Sequence, residues 1–482
     1  MGDVHAYPNE PRAIADDRLI RNLGKDTKPV FLSEWGVGSL FDVVRTTRHF
    51  EEIGAREDLH DAGLFRTILA RFEADFRAFG LETIYPFAED LIRESYVLHT
   101  RQRARVFDCV RSNPRFCGYN LTGMLDHGYC GEGLWSFFRE WKTGIVDVLR
   151  DGWAPLRWCL FVEPGHAFAG QPLRIEAVLA NEDVLGPGEY PANFRLFGAE
   201  GPVWEKQVTV RIPVPVPGEE GQLALTVLDE EISLEGQAAG RYVLSASLLR
   251  GGAPTGGRLA FRLSEPCPVL PENTDVVILG VGQETRTWLE AHGAILHGWN
   301  EPRYGRTDLI LVGGLPDPES PDSGPESLWE RAEAGSTVLV LSPDVWTDEL
   351  NCGTRLPFQQ KSESGKILNW LYHMECVALP HPYFDGLPGK GMLDGDVYGT
   401  LIPNRFLRGG KPPDEVAAVS FAIGYPGPTG YDAGVLLAAY RHGAGRIVLN
   451  TFRILENLGK NPAADRMFFN LLTFEKERVE GN

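Results

Sequence analysis

Apolar positions follow two different periods along the 482-residue chain, and the period switches twice. Over residues 1–150, short apolar runs alternate with longer stretches spaced at three and four. Asp3–Tyr7 reads as a brief strand followed by Pro8 and Pro11, and Arg12–Leu23 has helical spacing that Gly24 ends. Val30-Phe31-Leu32 suits a strand buried on both faces, closed by Ser33-Glu34 before Gly36 turns the chain. Leu64, Ile68, Leu69, Phe72, Phe76 and Phe79 mark one helix and Glu89–Arg111 a second; Arg115–Leu125 is a further strand and Trp135–Leu149 a closing helix. Glu51, Glu52, Glu57 and Asp58 read as a solvated loop before a helix. Strand and helix in alternation imply parallel strands joined by helical crossovers.

From 155 to 265 the period becomes two. Leu173–Leu179, Val208–Ile212 and Tyr242–Leu248 alternate in and out between Gly and Pro turns, the pattern of an immunoglobulin-like β-sandwich. Pro213, Pro215 and Pro217 mark an edge or loop. Strand–helix alternation returns at Asp275. Val276–Leu279, Asp308–Val312 and Thr337–Leu341 are strands, Glu284–His292 and Ser327–Ala334 helices, Ala433–Tyr440 with Arg446–Leu449 a hairpin and Ala463–Leu472 a last helix. This is the pattern of an open, flavodoxin-like α/β layer. The expected units are therefore 1–152, 153–266 and 267–482.

Composition is that of an ordinary globular protein, and charge narrows its partners. Lys and Arg number 47 against 66 Asp and Glu, a net charge of -19 that repels nucleic-acid phosphates and anionic membrane surfaces. No apolar run approaches the ~18 residues of a membrane span, and Met1–Tyr7 is not a signal peptide. The seven cysteines stand singly, without a CxxC pair or a metal-ligand spacing, which suits buried thiols better than a disulfide frame.

Candidate chemistry centres on Glu34. A carboxylate at the C-terminal end of a buried parallel strand is where a (β/α)8 barrel keeps its catalytic groups. The neighbouring strand ends supply His5, Tyr7, Trp35, Asp126 and His127, a mixture of aromatic surface and polar hydrogen-bonders that suits a sugar ring. Taken in order, Asp3–Pro8, Lys28–Gly36, Gly118–Gly123 with Asp126-His127, and Gly131–Trp135 resemble the last three strands of the barrel in glycoside hydrolase family 2, the β-galactosidases, β-glucuronidases and β-mannosidases. The resemblance implies a retaining β-glycosidase with Glu34 as nucleophile, and His5 and Tyr7 near the substrate. It implies no metal or organic cofactor.

The departures from that family are as informative as the matches. Its acid/base is a Glu preceded by Asn on the fourth strand, and no Asn-Glu pair here stands in for it: Asn9-Glu10, Asn181-Glu182 and Asn300-Glu301 all lie elsewhere. The chain thus reads as the C-terminal portion of a glycosidase, a partial TIM barrel that a longer gene product, a homo-oligomer or a second chain would complete. The alternative is a non-catalytic carbohydrate-binding or assembly protein carrying a relic half-barrel. Asp308–Gly314 with Gly335–Ser342 resembles the class I glutamine amidotransferase-like fold. Ser342-Pro343-Asp344 stands where that fold has a nucleophilic Cys, so this unit is expected to be a non-catalytic scaffold or an oligomerisation domain. Gly280-Val281-Gly282 lacks the third glycine of a dinucleotide loop, and no nucleotide cofactor is expected.

Overall fold

The computed structural model describes residues 2–7, 14–24, 28–55, 59–128, 130–217, 222–301, 307–314, 325–346, 356–358, 362–367, 374–424 and 430–480. Pro8, Asn9-Glu10, Pro11, Arg12, Glu57 and Asp58, discussed above, lie outside them. The fold is mixed α/β with several sheets.

Strands β1 (Gly2–Ala6), β2 (Val30–Trp35) and β3 (Phe116–Leu121) form a parallel sheet in the order β1-β2-β3. Its crossovers contain helices α1 (Ile14–Asn22), α2 (Val43–Glu52), α3 (His60–Ala78) and α4 (Ala88–Arg111), and α5 (Ile145–Gly152) follows β3. One face is apolar: Val30, Leu32 and Trp35 pack against Ile20, Val106, Phe107 and Val110. Across β1 the alternation is plain, with Val4 and Ala6 turned to this core and Asp3 and His5 exposed on the other side. Register shifts between Val4 and His5 and between Leu32 and Trp35 interrupt the alternation where the strands end. Trp35 is thereby fully buried while Glu34 remains partly open.

Helix α4, about 36 Å long at 1.5 Å per residue, joins two cores. Val106, Phe107 and Val110 of its C-terminal half belong to the small sheet, whereas Leu91, Ile92, Tyr96 and Leu98 belong to a second core shared with α2, α3 and a large mixed sheet. Among the described residues that large sheet has eleven strands. Strands 295–298, 275–279, 309–312, 337–340 and 445–450 run parallel, and 431–442, 415–423, 374–378 and 391–392 continue it antiparallel. Between the two lies a pair of packed sheets, one of strands 156–163, 172–181 and 224–233, the other of five strands. Trp158, Ile175 and Leu179 of the first meet Phe194, Leu244 and Phe261 of the second. Cys159, Phe161, Val178 and Ala180, on the opposite face of the first sheet, pack against the helices of the parallel sheet. Burial on both faces explains the unbroken apolar run Trp158–Val162.

Two local expectations fail for identifiable reasons. Residues 135–144 are turns, and the helix begins only at Ile145. Arg139 and Gly144 take positive φ (63° and 75°), and Trp135 and Trp141 face each other with ring centroids 4.6 Å apart. The helix-like spacing of Phe137 and Phe138 instead places both rings in an aromatic cluster with Phe41, Phe50 and Phe65. Glu51 and Glu52 are the last turn of α2, whose start Asp42 caps by accepting from Arg45 N at 2.9 Å. The buried β-branched residues Val43, Val44, Thr46 and Thr47 concealed this helix from propensity.

One buried histidine, between a sheet and the short helix 395–398, carries a pH prediction. The His166 ring sits 2.8 Å from the Val397 carbonyl through Nδ1 and 2.8 Å from Ser264 Oγ through Nε2. Nδ1 must donate to the carbonyl, so in the neutral ring Nε2 accepts from Ser264. Burial pushes the His166 pKa down, the Val397 bond opposes this, and the Arg262 charge adds to the fall. Because the folded-state value lies below the unfolded one, the unfolded chain binds the proton more tightly. The contribution is complete above the unfolded pKa near 6.5 and is lost as pH falls through the folded value. Denaturant midpoints measured from pH 7 downward should therefore decline less steeply for His166→Asn than for the native chain; equal slopes would show that this ring does not sense acid.

Candidate active site

The ends of β1 and β2 converge on one carboxylate. Glu34 Oε2 accepts a hydrogen bond from Tyr7 Oη at 2.6 Å and lies 3.2 Å from His5 Nδ1. Thr122 Oγ1, just past β3, stands 3.1 Å from the same phenol oxygen, and Thr122 N donates to the Trp35 carbonyl at 2.8 Å. Three strand ends are tied together in this way. Burial and the bond to Glu34 hold the Tyr7 hydroxyl well above its ordinary pKa, so it stays a proton donor to the carboxylate. The side chains of Glu34 and His5 are 44% and 53% exposed, open enough for a ligand to approach.

The remaining expected residues separate. Trp35 lies beneath the carboxylate in the core, its ring edge-on to Phe107 with centroids 5.1 Å apart. Asp126 is fully buried, and its Oδ1 accepts from Lys142 Nζ at 2.8 Å and from Gly133 N at 2.7 Å. Lys142, equally buried, also donates to Ser39 Oγ (2.9 Å) and the Gly131 carbonyl (2.7 Å). His127 is exposed on the turn that Cys130 N closes back to the His127 carbonyl at 2.9 Å. Thus His5, Tyr7 and Glu34 come together, Trp35 is buried in the core, Asp126 is buried against Lys142, and His127 sits on the loop after β3.

Sequence reasoning passed over Glu132, Arg103, Lys142 and Thr122. Glu132 occupies a slot made by two glycines: a Cβ on Gly36 would fall 2.0 Å from its Oε1, and one on Gly123 2.9 Å from its Cγ. Gly36 and Gly123 directly follow the ends of β2 and β3, so this second carboxyl lies against the strand ends that carry Glu34 and Thr122. Burial pushes its pKa up to about 7, opposed by Arg103 and reinforced by the negative charge of Glu34. Glu132 is only 1% exposed, which keeps it from reaching a leaving group. Arg103, on α4, donates to the carbonyls of Glu132 (2.8 Å) and Val37 (3.1 Å) and clamps the loops after β2 and β3. Glu132 was legible as the middle of Gly131-Glu132-Gly133; Arg103 and Lys142 carried no local signal.

No family model and no curated protein matches the chain. Solved structures similar to it include a β-D-mannosidase from Dictyoglomus thermophilum, 13% identical over 57% of this chain and 33% of that one, with a TM-score of 0.34. A glycosyl hydrolase family 2 member from Bacteroides cellulosilyticus is 12% identical over 38% of this chain and 25% of that one, with a TM-score of 0.19. The alkylpurine DNA glycosylase AlkC of Pseudomonas fluorescens is 14% identical over 23% and 30%, with a TM-score of 0.18. The chain spans a third or less of the length of each of these three proteins, and similarities of this size assign no function.

Proposed function

We propose that this chain is the C-terminal portion of a retaining β-glycosidase acting on O-glycosidic bonds, with Glu34 as the nucleophile. The observation that carries the reading is the convergence of His5 and Tyr7 on Glu34 Oε2 at the C-terminal ends of parallel strands. A phenol that donates to one carboxylate oxygen orients the group and leaves the other oxygen for attack. Glu34 would attack the anomeric carbon and expel the aglycone; water would then hydrolyse the glycosyl ester. His5 and Tyr7 position the carboxylate, and with His127 they offer polar groups to the sugar. In this reading Trp35 and Asp126 act from buried positions.

The architecture is read accordingly: 1–152 as the last three βα units of a (β/α)8 barrel, 153–266 as an immunoglobulin-like sandwich and 267–482 as an amidotransferase-like scaffold. Support for the partial barrel comes from the face of the parallel sheet opposite its apolar core. That face is lined by Asp3, His5 and Glu34 rather than by a core, and β1 and β3 each have an edge without a neighbouring strand among the described residues. The acid/base would come from strands on another polypeptide segment, whether a longer product of the same gene or a second, different chain. Lacking it, the chain depends on leaving groups that depart unaided, since general acid help is worth roughly 10²–10⁴ in rate.

An activated 2-deoxy-2-fluoro-β-glycoside with a dinitrophenyl leaving group tests the nucleophile, because it needs no acid and its glycosyl ester turns over slowly. Mass spectrometry of peptides should find the sugar on Glu34. Labelling at another residue would refute the assignment. The open sheet edges favour the second reading, a carbohydrate-binding or assembly protein, and saturable sugar binding with neither labelling nor hydrolysis would establish it.

A further inference from the structure

The loop after β3 brings together a donor set of which the hydrolase reading uses only His127. Candidate ligand atoms of His127, Cys130 and Glu132 all lie within 4.8 Å of one another. The three residues differ in kind: an exposed imidazole, a buried thiol outside any disulfide, and a buried carboxyl. A second observation points the same way. Glu132 Oε1 is a buried oxygen with no hydrogen-bond partner among the described residues. An orphaned carboxylate oxygen is costly in a protein interior, and a bound cation relieves that cost.

We infer that His127, Cys130 and Glu132 form a binding site for a divalent cation of the zinc type. Thiolate, imidazole and carboxylate together suit a borderline-soft ion better than magnesium or calcium, which take oxygen ligands. With bonds of about 2.0–2.3 Å, tetrahedral zinc holds its ligands roughly 3.4–3.7 Å apart. The present spacing, within 4.8 Å, therefore has to contract by at most about 1 Å. The mobile partner in that contraction is His127, exposed on a tight turn whose next residue, Gly128, has φ 56°. Cys130 and Glu132 are already fixed, because Ser39 N and Lys142 Nζ hold the Gly131 carbonyl between them (2.9 and 2.7 Å) and Arg103 holds the Glu132 carbonyl. The exposure of His127 leaves the fourth position to water. Arg103 and Lys142 place positive charge nearby. The Cys130 thiolate formed on binding, Glu132 and Asp126 offset it, and the thiol proton passes to solvent as the Cys130–metal bond forms.

This inference is independent of the glycosidase reading and is tested without any substrate. The full chain is stripped with chelator and titrated with Zn²⁺ alone by calorimetry, and with Co²⁺ in the spectrometer. The expected result is a single ion per chain, visible ligand-field bands of tetrahedral Co²⁺ and a thiolate-to-cobalt charge-transfer band in the near ultraviolet. Cys130→Ser should abolish the charge-transfer band and, like His127→Ala, weaken Zn²⁺ binding by at least roughly 10–100-fold. Cys117 is an exposed thiol outside the cluster, so Cys117→Ser should leave both readouts unchanged. Absence of the charge-transfer band in the native chain, or its loss in Cys117→Ser, overturns the inference. If Cys130→Ser does not fold, the exposed His127→Ala variant decides the question: undiminished Zn²⁺ affinity there overturns the site.

Discussion

Lys142→Met should destabilise the chain by about 3–5 kcal/mol, the usual cost of removing one member of a buried ion pair. The size of the effect follows from what remains. Asp126 is fully buried, and its Oδ2 already lacks a hydrogen-bond partner among the described residues. Without the ammonium, only Gly133 N still serves Oδ1. Both members of the pair report that burial outweighs their attraction: Asp126 is pushed up to about 6 by desolvation despite Lys142, and Lys142 is pushed down by desolvation despite Asp126. The pair therefore serves to anchor a loop. Lys142 gathers Asp126, Ser39 and Gly131 into one knot that joins the loops after β2 and β3 beside Glu132, so the damage should extend to the strand ends. Urea unfolding checks the prediction. Adding Asp126→Asn to Lys142→Met should recover part of the loss, because it removes the stranded charge. A single variant within about 1 kcal/mol of the native chain would mean that water reaches Asp126 and that the knot is not dry.

Glu34→Gln should leave the fold in place and remove turnover of an activated aryl β-glycoside. The amide keeps the shape of the carboxylate and a carbonyl oxygen for Tyr7, and the site is half open, so little stability depends on the charge. A neutral amide cannot attack an anomeric carbon. The expected loss is on the order of 10⁴ or greater, comparable in kind with removing a covalent nucleophile elsewhere. The measurement is the release of a nitrophenolate by matched concentrations of the two proteins, with circular dichroism as the folding control. Retention of more than a few per cent of the native rate would remove Glu34 from the chemistry.

Much of the architecture was legible in the hydrophobic pattern. Val30-Phe31-Leu32 announced a buried strand, the three-and-four spacing of Leu64–Phe79 and Glu89–Arg111 announced α3 and α4, and the period of two between 155 and 265 announced antiparallel strands. These signals are local: a strand or helix shows its buried face in its own sequence, at its own period. The position of Glu34 at the end of β2 was legible for the same reason. Residues 135–144 misled because aromatic side chains can satisfy a helical spacing while entering a neighbour's core from a turn.

What the sequence determined by itself was which segments are apolar on which face, and which acid ends the second parallel strand. Tertiary structure alone decided that Thr122 joins the phenol of Tyr7, that Asp126 sinks to pair with Lys142, and that Glu132 fills the space left by two glycines. The division has a physical cause. Periodicity is imposed residue by residue along the backbone, whereas the environment of a charged group depends on what other segments bury it and which partner they carry. Arg103 reaches the loops after β2 and β3 only because α4 crosses both, and no pattern within α4 encodes where those loops end.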